Sequence, residues 1–280
     1  MITWRELLNR GKSVLQKKII DDAEFDAYQL ILSFFDGSST EYTLHSSDSV
    51  SEEINESYMK LIDRRCSGEP LQYILGKWDF YDSSFFVGKG VLIPRPETEE
   101  LVDLCIELVR KNHFSVVYDL CTGSGCIGIS IAKACPDVEC YLFELYDDAF
   151  YYAEKNLQES GLSNVTLIKH NVLEAFDGDI PIADIIVSNP PYIESDEIPL
   201  LQSEVLKEPL TALDGGRDGL DFYRVFYEKW SDRLKPEGYF AFECAENQTG
   251  KISELAGSCY QSQQIKDIYN NYRFVISKKI

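Results

Sequence analysis

From about residue 115 onward, short runs rich in β-branched and aromatic residues alternate with amphipathic runs, and this alternation restricts the fold more than any other feature. "SVVYDL" (115–120) reads as a strand, "CIGISIAKAC" (126–135) as a helix and "VECYLFEL" (138–145) as a strand. "DDAFYYAEKNLQES" (147–160) is a helix closed by Gly161, and "NVTLIKH" and "ADIIVSN" are further strands. "GLDFYRVFYEKWSDRLK" reads as one long amphipathic helix, followed by the strand "GYFAFECA", a short helix and the strands "QIKDIY" and "RFVISKK". Such alternation predicts an α/β fold, a parallel sheet with helices on both faces. The last two strands are close enough in sequence to pair as a hairpin, which places an antiparallel pair at the sheet edge.

The first 75 residues have a different rhythm. Thr3 with Glu6 and Ser49 with Glu52 have capping-box spacing. Ile54, Tyr58, Leu61, Ile62 and Cys66 then recur at helical spacing until Gly68 and Pro70 stop the pattern. With the apolar "FDAYQLILSFF" between them, these segments predict a small helical bundle over residues 1–75. Residues 76–93, "GKWDFYDSSFFVGKGVLI", are aromatic and glycine-punctuated, as in a hairpin linker. "PRPETEELVDLCIELVRKN" opens a helix with proline and acids in its first turn, and a second domain covers 94–280.

Composition excludes several classes. No apolar run in the 280 residues is long enough to span a membrane, and the first residues lack the charged-then-apolar order of a signal peptide, so a cytoplasmic protein is expected. The eight cysteines form no C-x-x-C pair and sit mostly in apolar runs, which predicts reduced, buried thiols. Three scattered histidines match no metal-site spacing, and no metal is expected. Acidic residues outnumber basic ones 47 to 27, a net charge of −20. Repulsion from phosphates then opposes tight duplex binding, and no direct nucleic-acid partner is expected.

"DLCTGSGCIG" (119–128) falls between the first strand of the alternating region and its helix. Gly123 and Gly125 allow a tight turn and close approach of a ligand to the backbone. A glycine loop alone is also what any sharp strand-to-helix turn contains. Glu144, at the end of the next strand, adds weight, because an acid there can accept hydrogen bonds from both ribose hydroxyls of a nucleoside cofactor. The loop lacks the lysine of a P-loop. A loop with no cation, and acidic at Asp119, suits a cofactor without phosphates. S-adenosyl-L-methionine carries a sulfonium and an ammonium, both stabilised by acidic surroundings, and leaves as S-adenosyl-L-homocysteine.

"VSNPPYIE" (187–194) ends a strand with two prolines, which cannot continue a sheet ladder. If "ADIIVSN" is the fourth strand, it lies beside the first, and Asn189 emerges next to the glycine loop. An amide or exocyclic amine is a poor nucleophile that carries two N–H donors. The Asn189 side-chain oxygen can accept one and the Pro190 carbonyl the other, which aims the nitrogen lone pair at a methyl donor. Charge that develops on nitrogen is stabilised by these fixed dipoles. Pro191 removes a competing N–H, and Tyr192 can stack on a planar acceptor.

With these residues in view, the chain resembles the release-factor glutamine N5-methyltransferases over nearly its whole length. The likeness is carried by "GEPLQYILG", "VLIPRPETEELVD", "DLCTGSGCIGISIA", "SNPPYI", "EPLTALDGGRDGLDFYR" and "ENQ". "NPPY" is shared with DNA adenine methyltransferases, whereas "IPRPETEELV" with "EPLTALDGGRDGL" is far more specific. The resemblance implies a helical N-terminal domain joined by a hairpin to a seven-stranded, Rossmann-like class I S-adenosylmethionine-dependent methyltransferase domain. It implies methylation of the glutamine in the Gly-Gly-Gln motif of class I peptide-chain release factors. Cys121, Thr122, Gly123, Ser124 and Gly125 match the family's cofactor loop, Glu144 its ribose acid, and Val172 a residue that lines the adenine pocket. Asn189, Pro190, Pro191 and Tyr192 match the substrate motif. The chain has Asn171 where an adenine-side Asp is frequent, Glu144 where many members have Asp, Ala245 where Gly is common, and Tyr272 before Arg273 where an Asp-Arg pair is usual.

Two other activities use the same motif: glutamine methylation of a ribosomal protein, and N6-methylation of DNA adenine. The negative charge and the lack of a recognisable DNA-recognition domain weigh against the second. The helical domain, which has no glycine loop or clustered catalytic groups, is expected to select the protein partner.

Overall fold

The computed structural model describes residues 2–18 and 20–280. They fall into two compact units. One is the chain up to Lys77 together with Gln202–Lys207, and the other is Trp78–Leu201 with Glu208–Ile280. The short excursion 202–207 thus groups with the first 77 residues, and most of the 76–93 segment groups with the second unit.

The first unit is helical: α1 (Trp4–Lys17), α2 (Ala23–Leu32), α3 (Ser39–His45), α4 (Glu52–Cys66) and α5 (Leu71–Leu75). Thr3 and Glu6 form the expected capping box of α1. The cap of α4 is Ser51 and not Ser49: Ser51 Oγ accepts the Ile54 N–H at 3.3 Å. Ser49 instead pairs with Thr3 in an antiparallel bridge, so the backbone there is held extended and the helix begins later. Tyr58 is fully buried and donates to the Ala27 carbonyl at 3.0 Å, joining α4 to α2. Arg65, 4% exposed, pairs with Asp26 at 2.6 Å and with Glu204 of the 202–207 excursion. A buried charge left single is costly, so this triad ties the excursion into the helical unit.

In the second unit, β1 (Lys77–Phe80) and β2 (Ser83–Phe86) form the hairpin, and α6 (Pro96–Asn112) follows with proline at its start. Then come β3 (Val116–Leu120), α7 (Cys126–Ala134), β4 (Glu139–Glu144), α8 (Asp147–Ser160), β5 (Val165–Lys169), β6 (Ala183–Ser188), α9 (Asp221–Lys229), β7 (Leu234–Glu243), α10 (Thr249–Ala256), β8 (Tyr260–Lys266) and β9 (Tyr272–Lys279). The seven-stranded sheet has the order β5-β4-β3-β6-β7-β9-β8. β9 runs antiparallel to β7 and to β8, as the short final connection demands, and the other pairings are parallel. Every residue of β3 and β6 is buried, as expected of strands covered on both faces. Side-chain alternation sends Val117 to the face covered by α6 and α7, and Tyr118 to the face covered by α9 and α10.

The helix expected over 219–235 stops at Lys229. Trp230 turns into the core, where its Nε1 donates to the Val172 carbonyl at 2.8 Å. A single 3-10 turn, Ser231–Arg233, follows, and Arg233 donates to the carbonyls of Gly178 and Ile180. These long-range bonds outweigh one more helical turn. The strand predicted at "GYFAFECA" begins earlier, at Leu234. The eight cysteines are free thiols: five are buried, Cys66 and Cys121 are half-buried, and Cys259 is exposed. Among the described residues no helix is long and apolar enough to cross a membrane, and no cluster of three or more His, Cys, Asp or Glu side chains is set to hold a metal.

Candidate active site

A cavity opens at the carboxyl ends of the parallel strands, at the switch point where β3 has β4 on one side and β6, reached from β5 at the sheet edge, on the other. Its floor is the loop after β3. Cys121, Gly123 and Gly125 all have positive φ (58°, 59° and 83°), so the chain doubles back before α7 begins. A side chain on Gly125 would place its Cβ 2.9 Å from Ile129 Cδ1, and glycine is needed there for shape as well as for φ. The Thr122 N–H donates to the Phe143 carbonyl at 3.0 Å, and Asn156 of α8 donates to the Ser124 carbonyl at 2.8 Å.

Two acids hold this loop. Glu144 ends β4 and is buried. Its Oε1 accepts the N–H groups of Leu145 and Tyr146 at 2.8 and 2.9 Å, and its Oε2 accepts that of Gly123 at 3.0 Å. Burial raises its pKa above the usual carboxylate value, and the three backbone donors oppose that rise. With three donors on about four lone-pair sites, the carboxylate is oriented but not saturated. Asp119 is wholly buried and does not line the cavity. Strand alternation turns it toward α7, where one oxygen accepts from Thr122 Oγ1 (2.5 Å) and the Gly128 N–H (3.0 Å). Its pKa is pushed up to about 7, chiefly by burial. Asp119 therefore braces the loop from behind, which corrects its expected place against the cofactor.

On the far side, Phe143, Leu145, Val172 and Phe222 give the cavity an apolar wall. Asn171 lines it too, but its carboxamide is engaged in its own turn: Oδ1 accepts the Leu173 N–H at 3.1 Å and Nδ2 donates to Glu174 at 3.2 Å. The Trp230 bond to the Val172 carbonyl anchors this wall, and sequence reasoning gave Trp230 no such role. Arg95 is the lone Arg or Lys among the lining residues, and Glu208 pairs with it while also accepting the Ile93 N–H at 3.0 Å. The lining thus offers a nucleoside site with an acid for hydroxyls and no unpaired Lys or Arg for a phosphate chain.

Asn189 follows β6, whose Ser188 pairs with Leu120 of β3, so the two strand ends lie side by side as expected. Asn189 and Pro191 line the cavity; Pro190 and Tyr192 do not. Tyr192 is half-buried against the core of the α9 and α10 face. The backbone of this turn is clamped on several sides. The Tyr192 carbonyl accepts from Gln248 Nε2 at 2.8 Å, and Ile193 exchanges bonds with Leu213 and Gly215. A Cβ on Gly215 would lie 2.7 Å from Tyr192 Cα, and one on Gly219 2.3 Å from the Tyr192 carbonyl oxygen. The glycines of "DGGRDG" and the Gln of "ENQ" are therefore packing and bracing partners of "NPPY", a role their sequence spacing could not reveal.

A glycine loop after the first strand, an acid closing the next and an Asn-Pro-Pro-Tyr turn on the opposite neighbour define a Rossmann-like methyltransferase. The fold agrees with the hMettl16 catalytic domain in complex with MAT2A 3'UTR hairpin 6, at a TM-score of 0.54 and 16% identity, over 70% of this chain and 75% of that one. The family model described as PrmC N-terminal domain matches residues 6–76, and that described as Methyltransferase small domain matches 100–217. The chain is 37% identical over 254 residues to a release factor glutamine methyltransferase of Clostridium acetobutylicum, covering 90% of this chain and 89% of that protein. It is 34% identical to one of Clostridium botulinum, over 98% and 99% of the two chains, and 32% identical to one of Aquifex aeolicus, over 97% of each. The chain belongs to the release factor glutamine methyltransferase family.

Proposed function

We propose that this enzyme transfers a methyl group from S-adenosyl-L-methionine to the side-chain amide nitrogen of the glutamine in the Gly-Gly-Gln motif of class I release factors. The observation that carries the reading is Asn189, set beside the glycine loop at the cavity with its carboxamide nitrogen turned to Thr98. That leaves its oxygen as an acceptor for an N–H. The release-factor substrate is favoured over a ribosomal protein by the relatives' names, which hold across 32–37% identity and nearly full length.

The cavity fits the cofactor: Glu144 for ribose hydroxyls, Phe143, Leu145 and Val172 for a flat base, the 121–124 stretch of the loop for the amino-acid end, with Gly125 behind it making the turn, and no unpaired Lys or Arg that would await phosphates. When bound, the cofactor supplies an electrophilic methyl carbon on a sulfonium. Asn189 Oδ1 accepts one N–H of the substrate amide, and the Pro190 carbonyl accepts the other. With both hydrogens held, the nitrogen lone pair lies along the line of transfer, an orientation effect. As nitrogen becomes tetrahedral and gains positive charge, both carbonyl dipoles stabilise it. The nitrogen then loses one proton to water, so no strong base is needed. Tyr192 shapes the acceptor side, and the helical unit selects the protein partner, because one glutamine gives little surface for discrimination.

The test is mass spectrometry of tryptic peptides from a purified release factor incubated with isotopically labelled cofactor. One labelled methyl on the Gly-Gly-Gln peptide is expected. Label on a ribosomal protein instead, with none on the factor, would overturn the substrate.

A further inference from the structure

Behind Asn189 lies a short hydrogen-bonded chain that ends on a buried carboxylate. Asn189 Nδ2 donates to Thr98 Oγ1 at 3.1 Å, and Thr98 Oγ1 donates to Glu243 Oε2 at 2.7 Å. The three residues come from the turn after β6, the first turn of α6 and the end of β7. Thr98 and Glu243 are each 2% exposed. An ionised carboxylate only accepts, so the single hydroxyl proton of Thr98 is committed to it. The Thr98 oxygen can then only accept from Asn189, and Asn189 must turn its nitrogen inward. A threonine on its own imposes no such direction, since a hydroxyl can donate or accept. Burying a carboxylate is expensive, and a neutral amide would fill the same space at less cost.

We propose that Thr98 and Glu243 are positioning residues that set the amide orientation of Asn189, and so make the site selective for an N–H-bearing acceptor atom. The inference rests on the reading of Asn189 as the hydrogen-bond acceptor for the substrate amide. The polarity of the chain runs outward from the carboxylate: acceptor at Glu243, relay at Thr98, amide nitrogen inward and amide oxygen toward the substrate. Protonated Glu243 can donate to Thr98 instead. Thr98 is then free to donate to the Asn189 oxygen, and the carboxamide that rotates to meet it presents N–H groups to N–H groups. The charged and titratable groups acting on Glu243 are Arg95 and Glu97 ahead of and within α6, Cys126 of α7, Tyr223 of α9, Arg273 of β9, and Tyr192 and Cys244 from adjoining turns. The arginines favour the ionised form, while Glu97 and burial oppose it.

The experiment measures single-turnover methylation of a purified release factor, and cofactor affinity by calorimetry, for wild type, Asn189→Ala, Thr98→Val, Thr98→Ser and Glu243→Gln. Thr98→Val should slow turnover about tenfold, the scale of one lost hydrogen bond in a charge-assisted chain, with cofactor affinity unchanged. Thr98→Ser should restore most of the rate. Wild-type turnover is expected to fall on the acid side as Glu243 is protonated; Glu243→Gln can present either end of its amide to Thr98, so it should also be slow, and it should lack that acid-side fall. If Asn189→Ala is as fast as wild type, the reading of Asn189 fails and takes this inference with it. If Asn189→Ala is slow while a folded Thr98→Val matches wild type, the positioning role alone is refuted. Should Thr98→Val not fold, Glu243→Gln decides: a wild-type rate and an unchanged acid limb would overturn the proposal.

Discussion

Replacing Glu144 by Ala tests how the cofactor loop is built. The carboxylate serves two purposes in the reading above, accepting ribose hydroxyls and holding the N–H groups of Gly123, Leu145 and Tyr146. A hydrogen bond to a charged group is worth ~1.5–3 kcal/mol, so loss of one ribose bond alone weakens binding by about one to two orders of magnitude. Release of Gly123 adds to this, because the loop must then be ordered at the moment of binding. Glu144→Gln separates the two purposes. Its remaining oxygen can serve Leu145 and Tyr146, but its amide nitrogen then faces the Gly123 N–H, donor against donor. Affinity should therefore fall nearly as far as in the Ala variant. Titration calorimetry with S-adenosyl-L-methionine, on variants whose circular dichroism matches wild type, measures both. Unchanged affinity in Glu144→Ala would refute the ribose assignment, and an unaffected Gln variant would refute the coupling through Gly123.

Four further outcomes are expected. Tyr192→Phe should keep turnover within about threefold of wild type while Tyr192→Ala loses far more, if the ring face is what acts; equal losses would assign the role to the hydroxyl. Trp230→Phe removes the bond to the Val172 carbonyl, worth ~1 kcal/mol, and should weaken cofactor binding several-fold without slowing transfer in the ternary complex; unchanged affinity in calorimetry would speak against that anchor. Asp119 and Glu243 are pushed up to about 7 from their usual 3.8 and 4.5, mainly by burial. The folded chain thus binds these protons more tightly than the unfolded one, so their contribution to stability is complete below the unfolded values and is lost as pH rises through about 7. Asp119→Asn should flatten the fall of melting temperature between about pH 4 and 7, and parallel curves would contradict the burial argument. Deleting residues 1–75 removes Arg65 and Asp26 from Glu204. If the remainder is folded by circular dichroism, it should bind cofactor but methylate an intact release factor very slowly; a rate equal to the full chain would move partner selection into the methyltransferase unit.

Much of this architecture was legible in the linear chain, because its causes are local. Side-chain periods of two and about 3.6 separate β3, α7, β4 and α8 without any knowledge of their packing. Positive-φ glycines and a pair of prolines announce sharp turns by their own covalent geometry, and so the Gly123 loop and the Asn189 turn were placed correctly at strand ends. What escaped the sequence depends on partners far along the chain. Thr98 meets Asn189 across 91 residues and Glu243 across 145, and no periodicity encodes such a meeting. The same holds for Arg65 drawing Glu204 into the helical unit across 139 residues, for Gln248 bracing the Tyr192 carbonyl, and for Trp230 ending α9 early. Asp119 illustrates the boundary between the two. Its residue type and place beside the glycine loop suggested a cofactor contact, and only the packing of α7 on β3 turns its carboxylate to Thr122 and Gly128 instead. Propensity and turn chemistry settle where elements begin and end. Which buried polar groups find each other is settled by tertiary packing, since a polar group taken out of water must be satisfied by whatever the fold brings within reach.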